Sequence, residues 1–367
     1  MILAQAAIRL GEALPWPDRM SAAFIDRLVG QTRRRLAETE SPSDAAFLRE
    51  VATLPIAINT AEANTQHYEI PARFFQLILG PQRKYSCCLY EGTDDLAAAE
   101  QRALSVTAEH ACLADGQDIL ELGCGWGSLS LWMARKFPNA RIASVSNSAS
   151  QREFIDAQAR TENVRNLTII TADMNEFVAA GRFDRVVSVE MFEHMVNWRP
   201  LLRRIQAVLR DDGFLFLHVF SHKFVSYRFS TTDRFGWIAQ HFFTGGIMPS
   251  RRLIRQFRDS FRLDAEWQWN GRHYRNTARD WLANYDRHNS EIMEVLRQVY
   301  GRDADLWHRR WRLFLATMGL FGHAGGEEWG VSQYRLAPVA SPQPQAPETA
   351  RASQNARAAA SPDTIAP

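Results

Sequence analysis

Long apolar segments are absent from this 367-residue sequence. No stretch approaches the roughly 20 consecutive apolar residues that a transmembrane helix needs, so we predict no transmembrane segment. Residues 1–10 include a short apolar stretch, but no basic region precedes it and Glu12 follows soon after. We therefore do not interpret this stretch as a signal peptide.

Cysteine is also scarce, and neither sign of charge dominates. The cysteines show no paired spacing typical of a metal site, and we predict no such site: they are Cys87, Cys88, Cys112 and Cys124. A set this sparse in a long chain favours a reducing compartment, which predicts a cytoplasmic protein. The formal net charge of +2 gives no bias toward a nucleic-acid partner. Local clusters such as Arg33 to Arg35 indicate either a solvated helix face or contact with anionic lipid at the inner membrane surface.

Composition and periodicity divide the chain into three regions. Residues 1–64 carry apolar residues on one helical face, which predicts a helical N-terminal extension. Residues 65–336 are predicted to form the main domain. Residues 337–367 are rich in Ala, Pro, Ser and Gln and contain no aromatic residue. Such a segment cannot bury enough apolar surface to offset its ordering entropy, so we predict a disordered and dispensable tail.

Short apolar strands alternate with helices in the main domain. The predicted strands cover residues 118–122, 141–145, 167–171, 183–189 and 214–219. Their alternation with helices predicts an α/β fold, with a doubly wound, Rossmann-like sheet covered by helices on both faces. Residues 224–336, rich in Trp, Phe, Arg and His, are predicted to form a helical insertion plus the end of the sheet.

A glycine-rich loop follows the first predicted strand, in the run Glu121-Leu122-Gly123-Cys124-Gly125-Trp126-Gly127. Alternating glycines let the backbone approach a ligand closely at the carboxyl end of a strand. A nicotinamide site is disfavoured because the second strand ends in Ser146-Asn147-Ser148, without the acidic residue that holds the ribose. A phosphate-binding loop is disfavoured because no Lys-Ser or Lys-Thr pair follows the glycines. Asp173, just after the third strand, is predicted either to contact adenine or to cap the next segment.

The run LELGCGWGSLSLWMARKFPNARIASVSNSASQ resembles the cyclopropane-fatty-acyl-phospholipid synthase family, and it is also similar to plant coclaurine-type N-methyltransferases. The resemblance extends from about Gln66 to Leu336 through the motifs HYEIPARFF, KYSCCLY, VEMFEHM, HFFTGGIMPS and HYRNTARDW. It implies a class I methyltransferase that binds S-adenosylmethionine and releases S-adenosylhomocysteine (SAH). The cofactor residues predicted from the loop and from the resemblance are Tyr85, Ser86, Glu121, Gly123, Gly125, Gly127, Asn147, Ser148, Gln151, Asp173 and Met174.

Two carboxylates and an imidazole follow the fourth strand. Glu190, Glu193 and His194 have the i, i+3, i+4 spacing, so a helical turn would place all three on one face. At the carboxyl end of a parallel strand this face should meet the cofactor's methyl group. Carboxylates can stabilise developing positive charge there, and histidine can take a proton near neutral pH. The alternative interpretation is a helix start whose acidic residues favour the helix dipole.

We expect the methyl acceptor to be an unsaturated acyl chain of a lipid at a membrane surface. In the lipid synthases that this chain resembles, bicarbonate near the methyl group accepts the proton released on ring closure. The resemblance implies that its ligands here are Cys87, Glu193, His218 and Tyr274. The aromatic residues of the insertion could line an acyl tunnel, although each is more simply explained as core.

A small-molecule amine is the alternative acceptor. The amine-methylating relatives carry a glutamate at the position of Glu190, where lipid enzymes usually have a small residue. They also share an ending that is present here as LFGHAGGEEW, residues 320–329. Under this alternative Glu190 and His194 carry catalysis and His218 matters little, whereas the lipid hypothesis gives the main roles to Glu193 and His218.

Overall fold

Two sheets form in the computed structural model, which describes part of residues 23–36 and residues 43–58, 70–229 and 237–339. The strands are β1 (Asp118–Leu122), β2 (Arg141–Ser146), β3 (Leu167–Thr171), β4 (Phe183–Val189), β5 (Leu209–His222), β6 (Tyr227–Arg228), β7 (Ile247–Met248), β8 (Phe261–Asn270) and β9 (Trp329–Pro338). Strands β6 and β7 pair with each other. The remaining seven form the main sheet, in the order β3-β2-β1-β4-β5-β9-β8.

The main sheet is parallel from β3 to β5, and only β9 runs antiparallel to its neighbours β5 and β8. The strand order reverses between β1 and β4, which creates the crevice where open α/β sheets bind ligands. The fold therefore confirms the predicted α/β class and the Rossmann-like, doubly wound arrangement.

Helices cover both faces of the main sheet. They are α1 (Asp44–Val51), α2 (Ala72–Ile78), α3 (Leu96–His110), α4 (Ser128–Lys136), α5 (Ala149–Thr161), α6 (Trp198–Val208), α7 (Trp237–His241), α8 (Gly271–Arg287), α9 (Asn289–Tyr300) and α10 (Ala304–Thr317). Successive residues of β1 point to opposite faces. Ile119 packs with Leu104 of α3 and Met133 of α4, whereas Leu120 packs with Leu202 of α6.

The aromatic-rich region after β5 forms the predicted helical insertion together with the last strands. Trp281 of α8 and Trp311 of α10 are fully buried, and they pack with Phe74 of α2 in one cluster. These tryptophans therefore belong to the core. None of the described helices is long and apolar enough to cross a membrane.

The N-terminal extension is described only in part. The described positions between residues 23 and 36 are helical, and Ile25 and Val29 are buried in a cluster with Leu89. Asp44, at the start of α1, accepts hydrogen bonds from the hydroxyls of Ser226 and Ser250. The rest of the predicted extension, including residues 1–22, 37–42 and 59–64, lies outside the described part of the chain.

Strand β5 begins earlier than predicted. Residues 209–213, which precede the predicted strand 214–219, belong to this strand, and its register against β4 shifts between Phe183 and Arg185. Strand β9 also runs beyond Leu336, because Ala337 and Pro338 still pair with β8. Residues 340–367, which make up most of the predicted tail, lie outside the described residues.

The end of β9 sets where the chain can be shortened. We expect a chain ending at Val339 to keep the melting temperature of the full chain. A chain ending at Leu336 loses the bond from the Val339 N–H to the Ser260 carbonyl and the bond from the Gln206 amide to the Val339 carbonyl. At about 1 kcal/mol for each bond, its melting temperature should fall by roughly 2–5 °C. Circular dichroism on heating measures the melting temperatures of both shortened chains. An equal loss in the chain ending at Val339 would show that the tail is not dispensable.

Candidate active site

A cavity opens where the parallel strands end, at the crevice between β1 and β4. Its wall combines the glycine loop after β1, the segments that follow β2, β3 and β4, and the loop before α3. Most of the predicted cofactor and catalytic residues line it: Tyr85, Ser86, Glu121, Gly123, Gly125, Asn147, Gln151, Asp173, Met174, Glu190 and His194.

The glycine loop brings the backbone up to this cavity. A Cβ atom at Gly123 would lie 2.5 Å from Met191, so the segment after β4 can approach only a glycine here. Gly125 has φ of +51°, and a Cβ atom there would meet nothing within 4 Å. This position therefore faces open space in the cavity wall, where a ligand can come close to the backbone.

Two predicted cofactor residues support the wall from behind. Gly127, which directly precedes α4, does not line the cavity. Its Cα faces the side chain of Ile155, a residue of α5. Ser148 does not line it either, since its hydroxyl accepts the Gln151 N–H and caps α5. Their positions fit a structural role in holding the loop and the helix that surround the cavity.

Several polar atoms in the cavity wall fit a polar cofactor. Nε1 of Trp126, Oγ of Ser128 and Nε2 of Gln151 are buried without a hydrogen-bond partner among the described residues. The Gln151 amide is oriented by the Ser146 hydroxyl, which donates to its Oε1 at 2.6 Å. Buried polar groups of this kind normally find partners, so these atoms are available to hydrogen-bond a polar ligand in the cavity.

Asp173 and Glu121 also order the wall. Oδ1 of Asp173 accepts the Asn175 N–H at 2.7 Å, so this residue both lines the cavity and caps the following turn. Glu121 accepts hydrogen bonds from the hydroxyls of Ser130 and Ser144. Burial raises the pKa of Glu121 to about 7, although these two hydrogen bonds act to lower it.

Glu190 lines the cavity directly after the end of β4. It adopts a left-handed backbone conformation with φ of 50°, and its side chain is 8% exposed. The Cys87 N–H donates to its Oε1 at 2.9 Å and the Tyr274 hydroxyl to its Oε2 at 2.7 Å, while Nε2 of His218 lies 3.3 Å from Oε1. Burial raises the pKa of Glu190, but His218, Lys84 and the Cys87 N–H outweigh burial and hold it below its usual value.

The predicted common face of Glu190, Glu193 and His194 is wrong. Only a short 3-10 helix forms, over Phe192–His194, and the left-handed Glu190 precedes it. Glu193 points away from the cavity and accepts the Phe220 N–H at 2.6 Å. Burial and the charge of Glu190 raise the pKa of Glu193 well above its usual value. His194 lines the cavity, where desolvation lowers its pKa to about 4.

Cys87, His218 and Tyr274 are buried behind Glu190, and none of the three lines the cavity. The Cys87 thiol donates to the Cys88 carbonyl. Burial and the Glu190 carboxylate raise the pKa values of Cys87 and Tyr274 well above their usual ranges, so both side chains stay protonated. Burial lowers the pKa of His218. These residues therefore act on the cavity through Glu190.

Lys84 is a cavity residue that our sequence analysis did not single out. Its buried ammonium donates to the Ser86 hydroxyl and to the Cys87 carbonyl, at 2.5 and 2.7 Å. The Glu100 carboxylate accepts the backbone N–H groups of Gln82 and Lys84, and so holds this loop against α3. Lys84 is the first residue of the motif KYSCCLY, so this motif could have identified Lys84 as a site residue.

This fold and this cavity define the class of the protein, an S-adenosylmethionine-dependent methyltransferase with a Rossmann-like domain. The chain belongs to the mycolic acid cyclopropane synthetase family, whose model matches residues 57–319. The predicted enzyme class and cofactor are thereby confirmed.

Relatives of two kinds match the sequence. The (S)-coclaurine N-methyltransferase of Thalictrum flavum subsp. glaucum is 34% identical over 286 residues, which cover 76% of this chain and 79% of that protein. The cyclopropane-fatty-acyl-phospholipid synthase of Escherichia coli is 30% identical over 222 residues, which cover 60% of this chain and 55% of that protein.

Solved structures from both of these groups also match. A coclaurine N-methyltransferase bound to N-methylheliamine and SAH has a TM-score of 0.84 at 31% identity, covering 92% of this chain and 99% of that one. A cyclopropane synthase from Mycobacterium tuberculosis has a TM-score of 0.64 at 21% identity, covering 78% of this chain and 99% of that one. At this lower identity the second match shows the fold alone.

The exposure of Gly125 to the cavity gives a test of the cofactor site. Valine at this position would fill ligand space and strain a left-handed backbone, so Gly125→Val should abolish measurable binding of S-adenosylmethionine in calorimetry. Gly181→Val is the matched control, because Gly181 also has positive φ and open space but lies away from the cavity wall. The control should keep its affinity, and unchanged binding in Gly125→Val would refute the placement.

Proposed function

We propose that this protein transfers the methyl group of S-adenosylmethionine to the nitrogen of a small-molecule amine. The observation that carries this proposal is the Glu190 carboxylate, buried at the reacting end of the cavity with three hydrogen-bond donors around it. This supports the amine alternative over the lipid acceptor that the sequence analysis favoured.

The residues that the resemblance implied for bicarbonate do not leave a place for it. Of these residues, Tyr274 donates its hydroxyl to Glu190, His218 faces Glu190 through Nε2, and Cys87 gives its backbone N–H. A carboxylate and a bicarbonate ion present similar planar oxygen pairs, so the protein's own Glu190 takes the contacts that the ion would need. We therefore assign no step to bicarbonate.

The charges near the cavity suit an amine. The lowered pKa of Glu190 favours its ionised form at neutral pH, whereas the raised pKa of Glu193 favours its protonated form. His194 is uncharged, with a pKa of about 4. Glu190 is thus the ionised carboxylate that can attract an ammonium group, although the buried Lys84 ammonium offsets part of its charge, and His194 is an uncharged imidazole that faces the cavity.

Aromatic rings pack against two of the residues around this charge. The His194 ring lies 4.4 Å from the Phe243 ring, which in turn contacts Phe220 at 5.6 Å between centroids. Tyr274, which donates to Glu190, stacks on Phe321 at 4.4 Å. None of these three phenylalanines lines the cavity, so they hold His194 and Tyr274 in place from behind.

S-adenosylmethionine supplies a methyl group bound to a positively charged sulfur. An amine attacks as the free base, so its proton must leave before or during the transfer. His194 faces the cavity as an uncharged imidazole, and because its pKa is lowered to about 4 it passes this proton on to solvent and does not keep it at neutral pH. Glu190 holds the substrate's nitrogen by its charge and stabilises the positive charge that develops there during the transfer.

The comparisons support the same acceptor. Relatives named for amine methylation match more of this chain than the lipid synthase does. The solved N-methyltransferase, which was bound to a methylated amine, also shares more of the structure.

Two isosteric variants separate the amine and lipid hypotheses. Glu190→Gln removes the one ionised carboxylate and should lower the turnover of an amine by about a hundredfold to ten-thousandfold. Glu193→Gln replaces a carboxyl that is already protonated and should cost less than roughly tenfold. Turnover is followed by mass spectrometry with a panel of aromatic amines and a lipid extract, with and without bicarbonate. Affinity for S-adenosylmethionine should change little in either variant.

The lipid hypothesis predicts the opposite order, with Glu193→Gln the more damaging variant and wild-type activity raised by bicarbonate. Activity on the lipid extract alone would overturn our proposal. His218 no longer separates the hypotheses, as the sequence analysis expected it to, because its contact with Glu190 makes it important for either acceptor.

A further inference from the structure

Sheet register places a row of polar and aromatic residues behind the active site. Val189 at the end of β4 pairs with His218 of β5, and His218 pairs with Gln333 of β9. Gln333 pairs in turn with Trp267 of β8. Directly paired residues project from the same face of a sheet, so this row connects the cavity to the edge of the sheet.

A continuous chain of hydrogen bonds follows this row. Nε2 of His218 lies 3.3 Å from the Glu190 carboxylate, and its Nδ1 lies 3.0 Å from Nε2 of Gln333. Oε1 of Gln333 lies 2.6 Å from Nδ1 of His110, at the end of α3. Gln333 and His218 are fully buried, while the half-buried His110 ring stacks on Trp267 at 3.7 Å.

The amide of Gln333 gives this chain a direction. An amide nitrogen can only donate, so Nδ1 of His218 must accept, and the proton of the neutral ring lies on Nε2. An amide oxygen can only accept, so Nδ1 of His110 must donate. The Nε2–H of His218 therefore points at Glu190. In the other tautomer a lone pair would face the carboxylate and repel it.

We propose that Gln333 is a positioning residue that selects the tautomer of His218 and thereby keeps Glu190 ionised and oriented. His110 anchors the amide from the opposite side. The catalytic consequence rests on the proposed function, whereas the tautomer itself does not.

The groups around His218 and Glu190 support Gln333 as the residue that selects the tautomer of His218. The titratable groups that face the pair come from the loop before α3, from α3, from the turn after β4 and from α8: Lys84, Cys87, Cys88, His110, Glu193, His194 and Tyr274. Among the contacts that the structure gives for Nδ1 of His218, Gln333 supplies the hydrogen bond. The carboxylate thus depends on an amide two hydrogen bonds away.

Nitrogen NMR of protein labelled with ¹⁵N-histidine tests the tautomer without any substrate. In the wild type we expect a protonated Nε2 and an unprotonated Nδ1 for His218, whose signals are assigned by their loss in His218→Asn. Gln333→Glu places an acceptor against Nδ1 and should move a proton onto it. Gln333→Met keeps the side-chain volume but offers no hydrogen bond to Nδ1, so it should give a mixture of tautomers. This second variant keeps the test available if the buried carboxyl of Gln333→Glu prevents folding.

Activity provides the second measurement. Both Gln333 variants should lower kcat for an amine by about tenfold or more, with little change in the affinity for S-adenosylmethionine. Ser332→Ala is the matched control, because Ser332 is equally buried on the same strand but bonds to Ser221 and Gln268 instead. It should leave both the His218 signals and kcat unchanged.

A wild-type His218 protonated on Nδ1 would overturn the inference, as would signals that do not change in either Gln333 variant. A changed tautomer with unchanged kcat would overturn the positioning role. If the wild type methylates no amine, the proposed function fails, and the NMR result still decides whether Gln333 sets the tautomer.

Discussion

The burial of one carboxylate is the constraint on which the reacting end depends. A desolvated Glu190 is costly unless donors surround it, and the fold supplies them from distant parts of the chain. Cys87 comes from the loop before α3, His218 from β5 and Tyr274 from α8, so the sheet and the helical insertion must both be in place before the charge is compensated. The insertion is therefore part of the electrostatics of the site as well as part of the core.

Sequence alone predicts the features that local patterns encode. Apolar runs located β1 to β4 nearly to the residue, and the glycine run located the cavity, because both depend on neighbours along the chain. The positions of Gln333 and His110 could not be predicted. Gln333 meets His218 through the register of β9 against β5, and His110 reaches Gln333 from the end of α3, far away in sequence. The left-handed turn at Glu190 was also missed, because spacing suggested a helix where the backbone reverses its hand.

The choice of acceptor shows what a motif leaves open. Cys87, Glu193, His218 and Tyr274 are all suitable as residue types for an anion site, which made the lipid hypothesis attractive. Residue types and spacing do not reveal, however, which partner each side chain hydrogen-bonds in the folded chain. In the folded chain two of these side chains and one backbone N–H are directed at Glu190, and Glu193 contacts the Phe220 N–H on the far side of the turn.

The backbone of Glu190 has an evolutionary implication. A φ of 50° is strained for glutamate but is freely adopted by glycine, so a change to glycine here relieves strain while it deletes the carboxylate. The three donors would then surround a gap shaped for a small planar anion. A fixed internal carboxylate and an exchangeable external one are thus separated by a single substitution on an unchanged scaffold, and such a short mutational path lets one family diverge toward different acceptors.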